Sequence, residues 1–472
     1  MGLEITYLND RIELFDGVYD EVRAAQLRGA VRLYNRTVGP ITSVHLVRPE
    51  STDLSMYSAY CHHSPIEWLV RDLSVKNKPA EAPVPGGGKG ATLLRPVLGA
   101  LGEMAERLLG MLHFTSIAER VFYGSYTDLV LDGRNAVSPA ELPLFAPEQY
   151  ARAGFSFRPF EDDTRLGWLA GTRLISGEPI WVPAQLVLMY YRPRRGEPTI
   201  GYATTAGLAF QTSAESAVLH GLCEVIERDA LNIRWYSRLP PARIDVDLTQ
   251  VLASELGIPR SRMATPNVDV QVFNLTLDTP IPVLAAIAFD RAKAERAFLG
   301  GTGASFQREE ALAQALFELG QCQTGFHFED PFGRSPIYPD AELADVIEFF
   351  DAPLYYGHRD NLPRTYWFVG SPDTLRWAHV PTMAGIDEAH AYEAVLDWLR
   401  KRAIDPIVID MGDACPPGMS ITKVYLPELT HACPPRNPML GHPRFYEMPR
   451  TLGAADRRLA FDDLNPDPIP FA

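Results

Sequence analysis

Apolar residues recur at helical spacing in three stretches of the chain, and short apolar runs occur at strand spacing in several others. The helical spacing predicts helices over residues 94–112, around 217–230 and over 308–323. Strands are predicted where apolar runs are rich in β-branched and aromatic residues and end at Gly, Pro, Asn or Asp. These runs are ITSVHLVRP, IWVPAQLVLMYY at 180–191, DVQVFNLT, IPVLAAIAFD, DPIVIDMG and SITKVYLPEL.

The order of these elements predicts an α+β fold, because strands and helices do not alternate as they do in a doubly wound sheet. The Pro/Gly-rich stretch KPAEAPVPGGGKGA at 78–91 is expected to be a mobile loop. Glu103 and Glu224 stand in matching helical patterns, ALGEMAERLL and GLCEVIERDA, 121 residues apart. That spacing favours a pseudo-duplicated core over a solenoid, whose repeats are shorter.

Both matching helices carry the pattern Glu-x-x-Glu-Arg beside an apolar stripe. Residues three apart share a helical face, so Glu103 pairs with Glu106 and Glu224 with Glu227. Converging carboxylates would repel one another, and Mg²⁺ would relieve that repulsion, with phosphate completing its oxygen shell. The alternative is a solvated helix flank with local ion pairs. Two copies in matching apolar context, each after a Gly-rich segment, favour the metal interpretation.

Cationic side chains near these helices are candidate phosphate ligands. Arg107 and Arg228 follow the two glutamate pairs and are placed to pair with phosphate oxygens. Lys89 lies in GGGKG, fourteen residues before Glu103. This segment is not a Walker A loop, but its lysine could fold over a triphosphate; a surface linker lysine is the alternative.

Two further polar patterns have structural interpretations of their own. Thr212 and Glu215 fit a Thr-x-x-Glu capping box, which predicts the start of the second helix. Gln314, Glu318 and Gln321 form a polar stripe on the third helix, which alone is more typical of a solvent-facing surface.

Composition excludes several functional classes. The 472 residues carry a net charge of −15, without a Lys/Arg-rich run, which argues against a nucleic-acid partner. We find no signal-peptide pattern and no apolar stretch long enough to span a membrane. Five scattered cysteines, without a Cys-x-x-Cys pair, favour a reducing compartment. We therefore expect a cytoplasmic protein that binds neither nucleic acid nor membranes.

Three segments together resemble the signatures of the YcaO family, ATP-dependent enzymes that activate backbone amides of ribosomal peptides. GGGKGATLLRPVLGALGEMAER resembles the first signature, AGLAFQTSAESAVLHGLCEVIERDA the second and REEALAQALFELGQCQ the third. The second is the most specific, and the resemblance extends over roughly residues 80–472. It implies an ATP site with Mg²⁺ held by the two glutamate pairs.

The resemblance and the residue patterns together give the candidate site. The metal ligands are Glu103, Glu106, Glu224 and Glu227. The ATP and phosphate ligands are Lys89, Arg107, Arg228, Gln314, Glu318, Thr212, Glu215 and Ser216. The chain departs from the family pattern at three positions. Thr212 replaces an asparagine, Ser216 replaces a glutamate with Glu215 adjacent, and Gln314 replaces an arginine, which affects phosphate binding and leaves the metal cluster intact.

The C-terminal sequence LNPDPIPFA is similar to the proline-rich tails of azoline-forming family members, which are thought to thread into the active site. The tail contains Pro466, Pro468 and Pro470 and ends at Ala472. By analogy with those members, the terminal carboxylate of Ala472 is the candidate base that takes the proton of the attacking nucleophile. A frayed proline-rich terminus is the alternative.

The resemblance implies a cyclodehydratase that converts Cys, Ser or Thr residues of a precursor peptide to thiazolines or oxazolines. Residues 1–80 are too few for a full E1-like leader-binding domain, 81–455 would form the catalytic domain, and 456–472 the tail. We therefore expect a separate E1-like partner protein, with a flavin-dependent azoline dehydrogenase as a possible later enzyme and a homodimer as the assembly. The alternatives are a thioamide- or macroamidine-forming enzyme and a non-catalytic peptide-binding scaffold.

Overall fold

A computed structural model describes most of the chain, and the α-helices among the described residues lie between 94 and 451. The described residues are 3–7, 10–14, 33–34, 39–50, 53–64, 86–92, 94–117, 120–189, 191, 193–255, 267–325, 346, 351–383, 385–412, 415–431 and 437–471. The α-helices are α1 (Leu94–Ile117), α2 (Tyr126–Leu131), α3 (Pro147–Tyr150), α4 (Ala184–Val187), α5 (Ala214–Tyr236), α6 (Leu248–Glu255), α7 (Arg308–Gly325), α8 (Asp351–Gly357), α9 (Tyr366–Val369), α10 (Glu388–Lys401) and α11 (Arg444–Thr451).

The strands of the described residues form a hairpin and three larger sheets. Neighbouring strands are antiparallel, apart from Ala242–Asp245 and Thr374–Arg376, which are parallel. The hairpin is β1 (Leu3–Tyr7) and β2 (Asp10–Leu14). The three-stranded sheet has the order β3 (Ile41–Val47), β4 (Tyr57–His63), β5 (Gly86–Gly90). The six-stranded sheet has the order β6 (Phe122–Gly124), β7 (Leu166–Arg173), β15 (Ile407–Asp410), β16 (Ser420–Tyr425), β9 (Leu208–Gln211), with β8 (Pro179–Pro183) also paired to β7. The five-stranded sheet has the order β13 (Leu299–Ala304), β12 (Val283–Asp290), β11 (Val268–Asn274), β10 (Ala242–Asp245), β14 (Thr374–Arg376).

Helix α5 lies between the two largest sheets, which explains why it is apolar on most of its surface. It packs on β9 and β16 on one side and contacts β12 and β13 on the other. Leu222, Ile233, Trp235 and Tyr236 are each fully buried. The helices α1 and α7 connect the three-stranded sheet to the rest: α1 packs on β5 and contacts β9, and α7 packs on β13 and contacts β5. The α+β architecture predicted from the sequence is confirmed.

The expected loop at 78–91 is wrong for residues 86–90, which form β5 and pair with β4. The glycines are there because α1 lies directly on the strand. A Cβ at Gly88 would stand 1.7 Å from the carbonyl oxygen of Pro96, and one at Gly86 would stand 2.7 Å from Cβ of Met104. The glycines of this segment therefore allow the helix to pack closely on the strand, and they do not indicate a mobile loop.

Two other local predictions are corrected. The apolar run at 180–191 is a strand only as far as Pro183, after which α4 begins. The second helix begins with Ser213 as its N-cap, whose hydroxyl accepts from the amide of Ser216. The Thr212–Glu215 capping box is therefore wrong by one residue, because Ser213 supplies a capping oxygen that Thr212 would otherwise have provided.

Buried ion pairs fasten α5 and the sheets to distant segments. Arg444 of α11 donates to Asp229 of α5 at 2.6 Å and to Asp278 at 3.0 Å. Arg296 bridges Asp53 and Asp290, and all three side chains are almost completely buried. Removing one partner of such a pair would leave an uncompensated buried charge, so these contacts fix the register of the elements they join.

Candidate active site

On each of three helices, a glutamate accepts a hydrogen bond from a backbone amide in or next to a strand. The amide of Gly87 donates to Glu103 on α1 at 2.9 Å, and the amide of Gly207 donates to Glu224 on α5 at 2.9 Å. The amide of Thr302 donates to Glu318 on α7 at 2.7 Å. In each case the glutamate follows its donor by 16 or 17 residues. The hydrogen bond fixes one carboxylate oxygen, and in Glu103 and Glu318 the other oxygen is paired with Arg107 and Lys89.

The alternation of β5 brings Lys89 to this group of carboxylates. Gly86 and Gly88 face α1, so Gly87 and Lys89 face the other side of the strand, toward α7. A Cβ at Gly87 would lie 2.4 Å from Nε2 of Gln321, and Nζ of Lys89 lies 3.3 Å from Glu318. About a third of the Lys89 side chain is exposed, so this ammonium group lies where a ligand could reach it.

Thr302 connects the second glutamate pair to the third helix. Its hydroxyl donates to Glu227 at 2.5 Å, while its amide donates to Glu318. Burial and the nearby Glu318 raise the pKa of Glu227, against the opposing effect of Arg228. Thr302 was not identified from the sequence, where it stands in a glycine-rich strand, LGGTGA, without a recognisable motif.

The two glutamate pairs, distant in the sequence, interact electrostatically in the fold. Burial, followed by the charges of Glu224 and Glu103, raises the pKa of Glu106 well above its usual range. Burial works to lower the pKa of Arg228, but the carboxylates of both pairs outweigh it and raise that pKa. The structure therefore brings Glu103, Glu106, Glu224 and Glu227 into one charged region.

Arg107 is positioned by its own helix. Its guanidinium donates to Glu103, one turn earlier on α1. Its Nε is buried and has no hydrogen-bond partner among the described residues. A buried donor without a partner is costly, and an anionic ligand would satisfy it.

Lys423 is a further cation of this region that was not identified from the sequence. It lies on β16, is 2% exposed, and donates to the carbonyl oxygens of Thr204 and Ala206, both at 2.6 Å. Burial lowers its pKa to about 8, and Glu224 and Glu106 oppose that shift. The signal in the sequence was a single lysine between Ile421 and Tyr425 on the inward face of an otherwise apolar strand.

The other predicted ATP ligands are more dispersed. Gln314 lies over β13, where a Cβ at Gly303 would stand 2.7 Å from its own Cβ. Ser216 shares a helical face with Glu227 but lies about 16 Å along the axis. Glu215 is exposed, interacts electrostatically with Tyr392, and lies about 180° around α5 from Glu224. Thr212, partly exposed, precedes the helix.

The C-terminal tail is packed into the protein close to Thr302. Pro466 is exposed, whereas Pro468 and Pro470 are buried. Tyr356 donates to the carbonyl of Pro468 at 2.8 Å. The ring of Phe471 lies against Gly300, where a Cβ would stand 2.2 Å from it. Asn465 is also buried, and its backbone N–H donates to the carbonyl oxygen of Tyr236. Ala472 lies outside the described residues.

The tail end and the carboxylate region meet on one face of β13. Gly300 and Thr302 are two residues apart, so they share a strand face, while Gly301 and Gly303 face α7. Phe471 therefore ends about 7 Å along the strand from the residue that holds Glu227.

Oxygen donors of this kind suit Mg²⁺ and nucleotide phosphate. Within the described residues, no three His, Cys, Asp or Glu side chains are grouped tightly enough to hold one metal ion by themselves. Mg²⁺ commonly takes only one or two protein carboxylates and completes its shell with phosphate and water. The residues present therefore fit Mg²⁺ bound together with a nucleotide. In the same part of the chain, no helix combines the length and apolar character needed to cross a bilayer.

A family model described as "YcaO cyclodehydratase, ATP-ad Mg2+-binding" matches residues 87–430. The chain belongs to the YcaO family, and ATP and Mg²⁺ are its cofactors. It is 32% identical over 270 residues to an uncharacterized protein of Methanothermobacter thermautotrophicus, a match that covers 56% of this chain and 66% of that protein. The chain thus spans about two-thirds of this relative's length.

Solved structures share the fold. A heterocyclase in complex with substrate and cofactor superposes with a TM-score of 0.72 at 19% identity, covering 95% of this chain and 57% of that one. YcaO from Methanopyrus kandleri, bound with AMPPCP and Mg²⁺, gives 0.56 at 17% identity, covering 83% and 86%. A chain of the E. coli microcin synthetase McbBCD complex gives 0.55 at 14% identity, covering 93% and 98%. The predicted family and fold are confirmed.

Proposed function

We propose that this protein is an ATP-dependent cyclodehydratase that forms azolines in a ribosomally made precursor peptide. The observation that carries the proposal is the electrostatic convergence of the pairs Glu103–Glu106 and Glu224–Glu227. We assign these four carboxylates to Mg²⁺. Bound Mg²⁺ neutralises phosphate charge and polarises the phosphoryl group that is transferred.

Lys89, Arg107 and Arg228 would bind the phosphates of ATP. Lys89 is partly exposed, and the buried Nε–H of Arg107 can donate a hydrogen bond to a phosphate oxygen. Glu318 would orient Lys89, to which it is paired at 3.3 Å. We assign Gln314, Thr212, Ser216 and Glu215 to the outer part of the nucleotide site. Of these four residues Glu215 is the least well supported, because its side chain is exposed.

The chemistry requires an amide oxygen to become a leaving group. A Cys, Ser or Thr side chain of the peptide attacks the preceding carbonyl and forms a tetrahedral adduct. The adduct oxygen takes the γ-phosphoryl group of ATP and ADP is released. The C–O bond then breaks, phosphate leaves, and the amide nitrogen loses its proton as the C=N bond forms, so that the peptide loses the elements of one water. The protein contributes positioning and charge stabilisation.

The tail supports azoline formation over other amide chemistry. Its buried prolines and the packing of Phe471 on Gly300 hold the described end of the tail against the strand that carries Thr302. We propose that the carboxylate of Ala472 accepts the proton of the attacking nucleophile.

The domain boundaries, partner proteins and oligomeric state are proposed by analogy with the family. Residues 81–455 would form the catalytic domain, with 456–472 as its tail and 1–80 as an N-terminal part. A separate E1-like protein would present the precursor peptide, in the cytoplasm, and a flavin-dependent dehydrogenase could act on the azoline. The microcin synthetase neighbour is itself a multi-protein complex, which supports partner proteins. A homodimer is the proposed oligomer.

Reconstitution tests the reaction. The purified chain is mixed with its E1-like partner, Mg²⁺-ATP and a synthetic peptide, namely the Cys/Ser/Thr-rich peptide encoded nearest its gene. We expect a mass loss of one water per ring, with one ADP formed per ring. Glu227→Gln is the matched control, because it keeps the side-chain shape and should abolish both products.

Other outcomes identify the alternatives. Exchange of oxygen for sulfur in the peptide mass would indicate a thioamide, and ring closure without a Cys, Ser or Thr nucleophile would indicate a macroamidine. Absence of Mg²⁺-ATP binding in calorimetry would instead favour a non-catalytic peptide scaffold, the alternative that the replacements at Gln314 and Ser216 motivate.

A further inference from the structure

Lys423 is a buried cation that holds the loop preceding β9. Its Nζ donates to two carbonyl oxygens of one loop, those of Thr204 and Ala206, both at 2.6 Å. The following strand β9 pairs with β16 such that Leu208 is opposite Lys423. The ammonium group thus fixes the loop that leads into β9, at the end of the strand next to Glu224.

One peptide group lies between Lys423 and Glu224. The carbonyl oxygen of Ala206 accepts from Lys423, and the amide of the same peptide bond, on Gly207, donates to Glu224 at 2.9 Å. The positive and negative charges therefore act on opposite ends of the same dipole, and each stabilises the orientation that the other needs.

Lys423 also faces the first glutamate pair. Its neighbour Val424 points toward α5, because a Cβ at Gly221 would stand 3.0 Å from Cγ2 of Val424. Successive side chains of a strand point to opposite faces, so Lys423 faces the other side of the sheet, where α1 contacts β16. Glu106 lies on α1, and its charge acts on Lys423, as does that of Glu224.

The charges of the region are nearly balanced by the protein itself. Its carboxylates are Glu103, Glu106, Glu224, Glu227 and Glu318, and its cations are Lys89, Arg107, Arg228 and Lys423. Lys89 is closest in charge interaction to Glu318 and Glu103, and Arg228 to Glu227 and Glu318. Arg107 is paired with Glu103 and also acts on Glu106. Lys423 is the buried cation that acts on Glu106 and Glu224 together.

We propose that Lys423 is a buried counter-ion of Glu106 and Glu224, which places positive charge beside these two carboxylates and orients the Ala206–Gly207 peptide that donates to Glu224. The inference rests on the proposed nucleotide site. Lys423 is a positioning residue here: it acts on the carboxylates and need not touch the substrate.

Mn²⁺ binding without nucleotide separates this role from simple support of the loop. We compare the full chain with Lys423→Met, which keeps the side-chain length and removes the charge, by following the free Mn²⁺ signal in electron paramagnetic resonance. Loss of a positive charge beside two carboxylates should tighten Mn²⁺ binding at least about tenfold. Lys423→Arg should bind as the wild type does, as should Lys401→Met, which removes an exposed charge from α10. Unchanged or weaker Mn²⁺ binding in Lys423→Met would overturn the proposal.

Because Lys423→Met also leaves two carbonyl groups without their donor, thermal unfolding in EDTA provides a second test. Glu106→Gln should raise the melting temperature more in the Lys423→Met background than in the wild type, by about 2 °C or more, since it relieves repulsion that Lys423 otherwise compensates. Equal gains in both backgrounds, or a double variant as insoluble as Lys423→Met alone, would contradict the proposal. If the wild type failed to bind Mg²⁺-ATP, the proposed function would fail while this charge coupling could still be measured.

Discussion

The hydroxyl of Thr302 donates a hydrogen bond of 2.5 Å to Glu227. This bond joins a strand of the five-stranded sheet to the helix that carries the second glutamate pair. Because the amide of Thr302 also holds Glu318, a single residue positions two of the carboxylates that face the proposed nucleotide site.

Thr302→Val should therefore weaken Mg²⁺-ATP binding by about ten- to a hundredfold, because a hydrogen bond to a charged group contributes about 1.5–3 kcal/mol. The backbone bond to Glu318 and the β-branched shape would remain. Thr302→Ser keeps the hydroxyl and should bind nearly as the wild type does. Titration calorimetry measures both. Equal losses in the two variants would show that the methyl group, and not the hydrogen bond, is what matters.

Gly300→Val should displace the tail, because its Cβ would stand 2.2 Å from the ring of Phe471. We expect Mg²⁺-ATP binding to be retained while ring formation in the reconstituted reaction is lost. Overpacking of this kind costs about 1–3 kcal/mol, so the melting temperature should also fall. Adding Phe471→Ala makes room and should restore part of the melting temperature without restoring ring formation. Full ring formation by Gly300→Val would remove the tail from the mechanism.

Gly207→Ala should disturb both stability and the site. Gly207 has φ +82°, and its Cβ would stand 2.2 Å from the carbonyl oxygen of Val424. Gly196 is a matched control, since it has φ +87° and nothing within 4 Å of its Cβ position. Both variants carry the strain of positive φ, about 1 kcal/mol or more. Only Gly207→Ala should weaken Mg²⁺-ATP binding, and a similar loss in Gly196→Ala would mean that backbone strain alone explains it.

His431 should make the protein sensitive to mild acid. Its ring stacks on Tyr425 with centroids 4.2 Å apart, and burial, with Lys423 and His442, lowers its pKa to about 3. The unfolded chain, with the usual pKa of 6.5, takes up the proton first. The stability that the neutral His431 contributes is therefore fully present above about pH 6.5 and is lost progressively as the pH falls toward 3. At pH 5 the free energy of unfolding should be lower by about 1–2 kcal/mol.

The fall in melting temperature between pH 7.5 and pH 5 should be smaller in His431→Phe, which keeps a ring against Tyr425 and cannot be protonated. His379→Gln is the control, because His379 is exposed and should leave the pH profile unchanged. A His431→Phe profile parallel to that of the wild type would assign the acid sensitivity to other groups.

The sequence identified those parts of the site that depend on local spacing. Glu103 and Glu106, like Glu224 and Glu227, share a helical face whatever the tertiary structure, so their pairing could be predicted. Thr302 could not be found, because its role depends on a contact with Glu227, 75 residues away. The prediction for GGGKG was wrong because glycines that admit a packed helix and glycines that allow a flexible loop have the same composition.

Lys423 illustrates the same limit for charge. A lysine inside the strand SITKVY contradicts the apolar pattern around it, but the sequence alone does not reveal which buried groups compensate it. Those groups are the carbonyls of a loop more than 200 residues earlier and carboxylates on two helices.

Crystals grown with AMPPCP and Mn²⁺ test most directly whether the glutamate pairs of α1 and α5 hold metal-bound nucleotide. We predict anomalous difference peaks between the Glu103–Glu106 and Glu224–Glu227 side chains, with the phosphates of the nucleotide on the side of Lys89 and Arg228. Manganese and nucleotide bound elsewhere in the chain, with both pairs free of metal, would contradict this account.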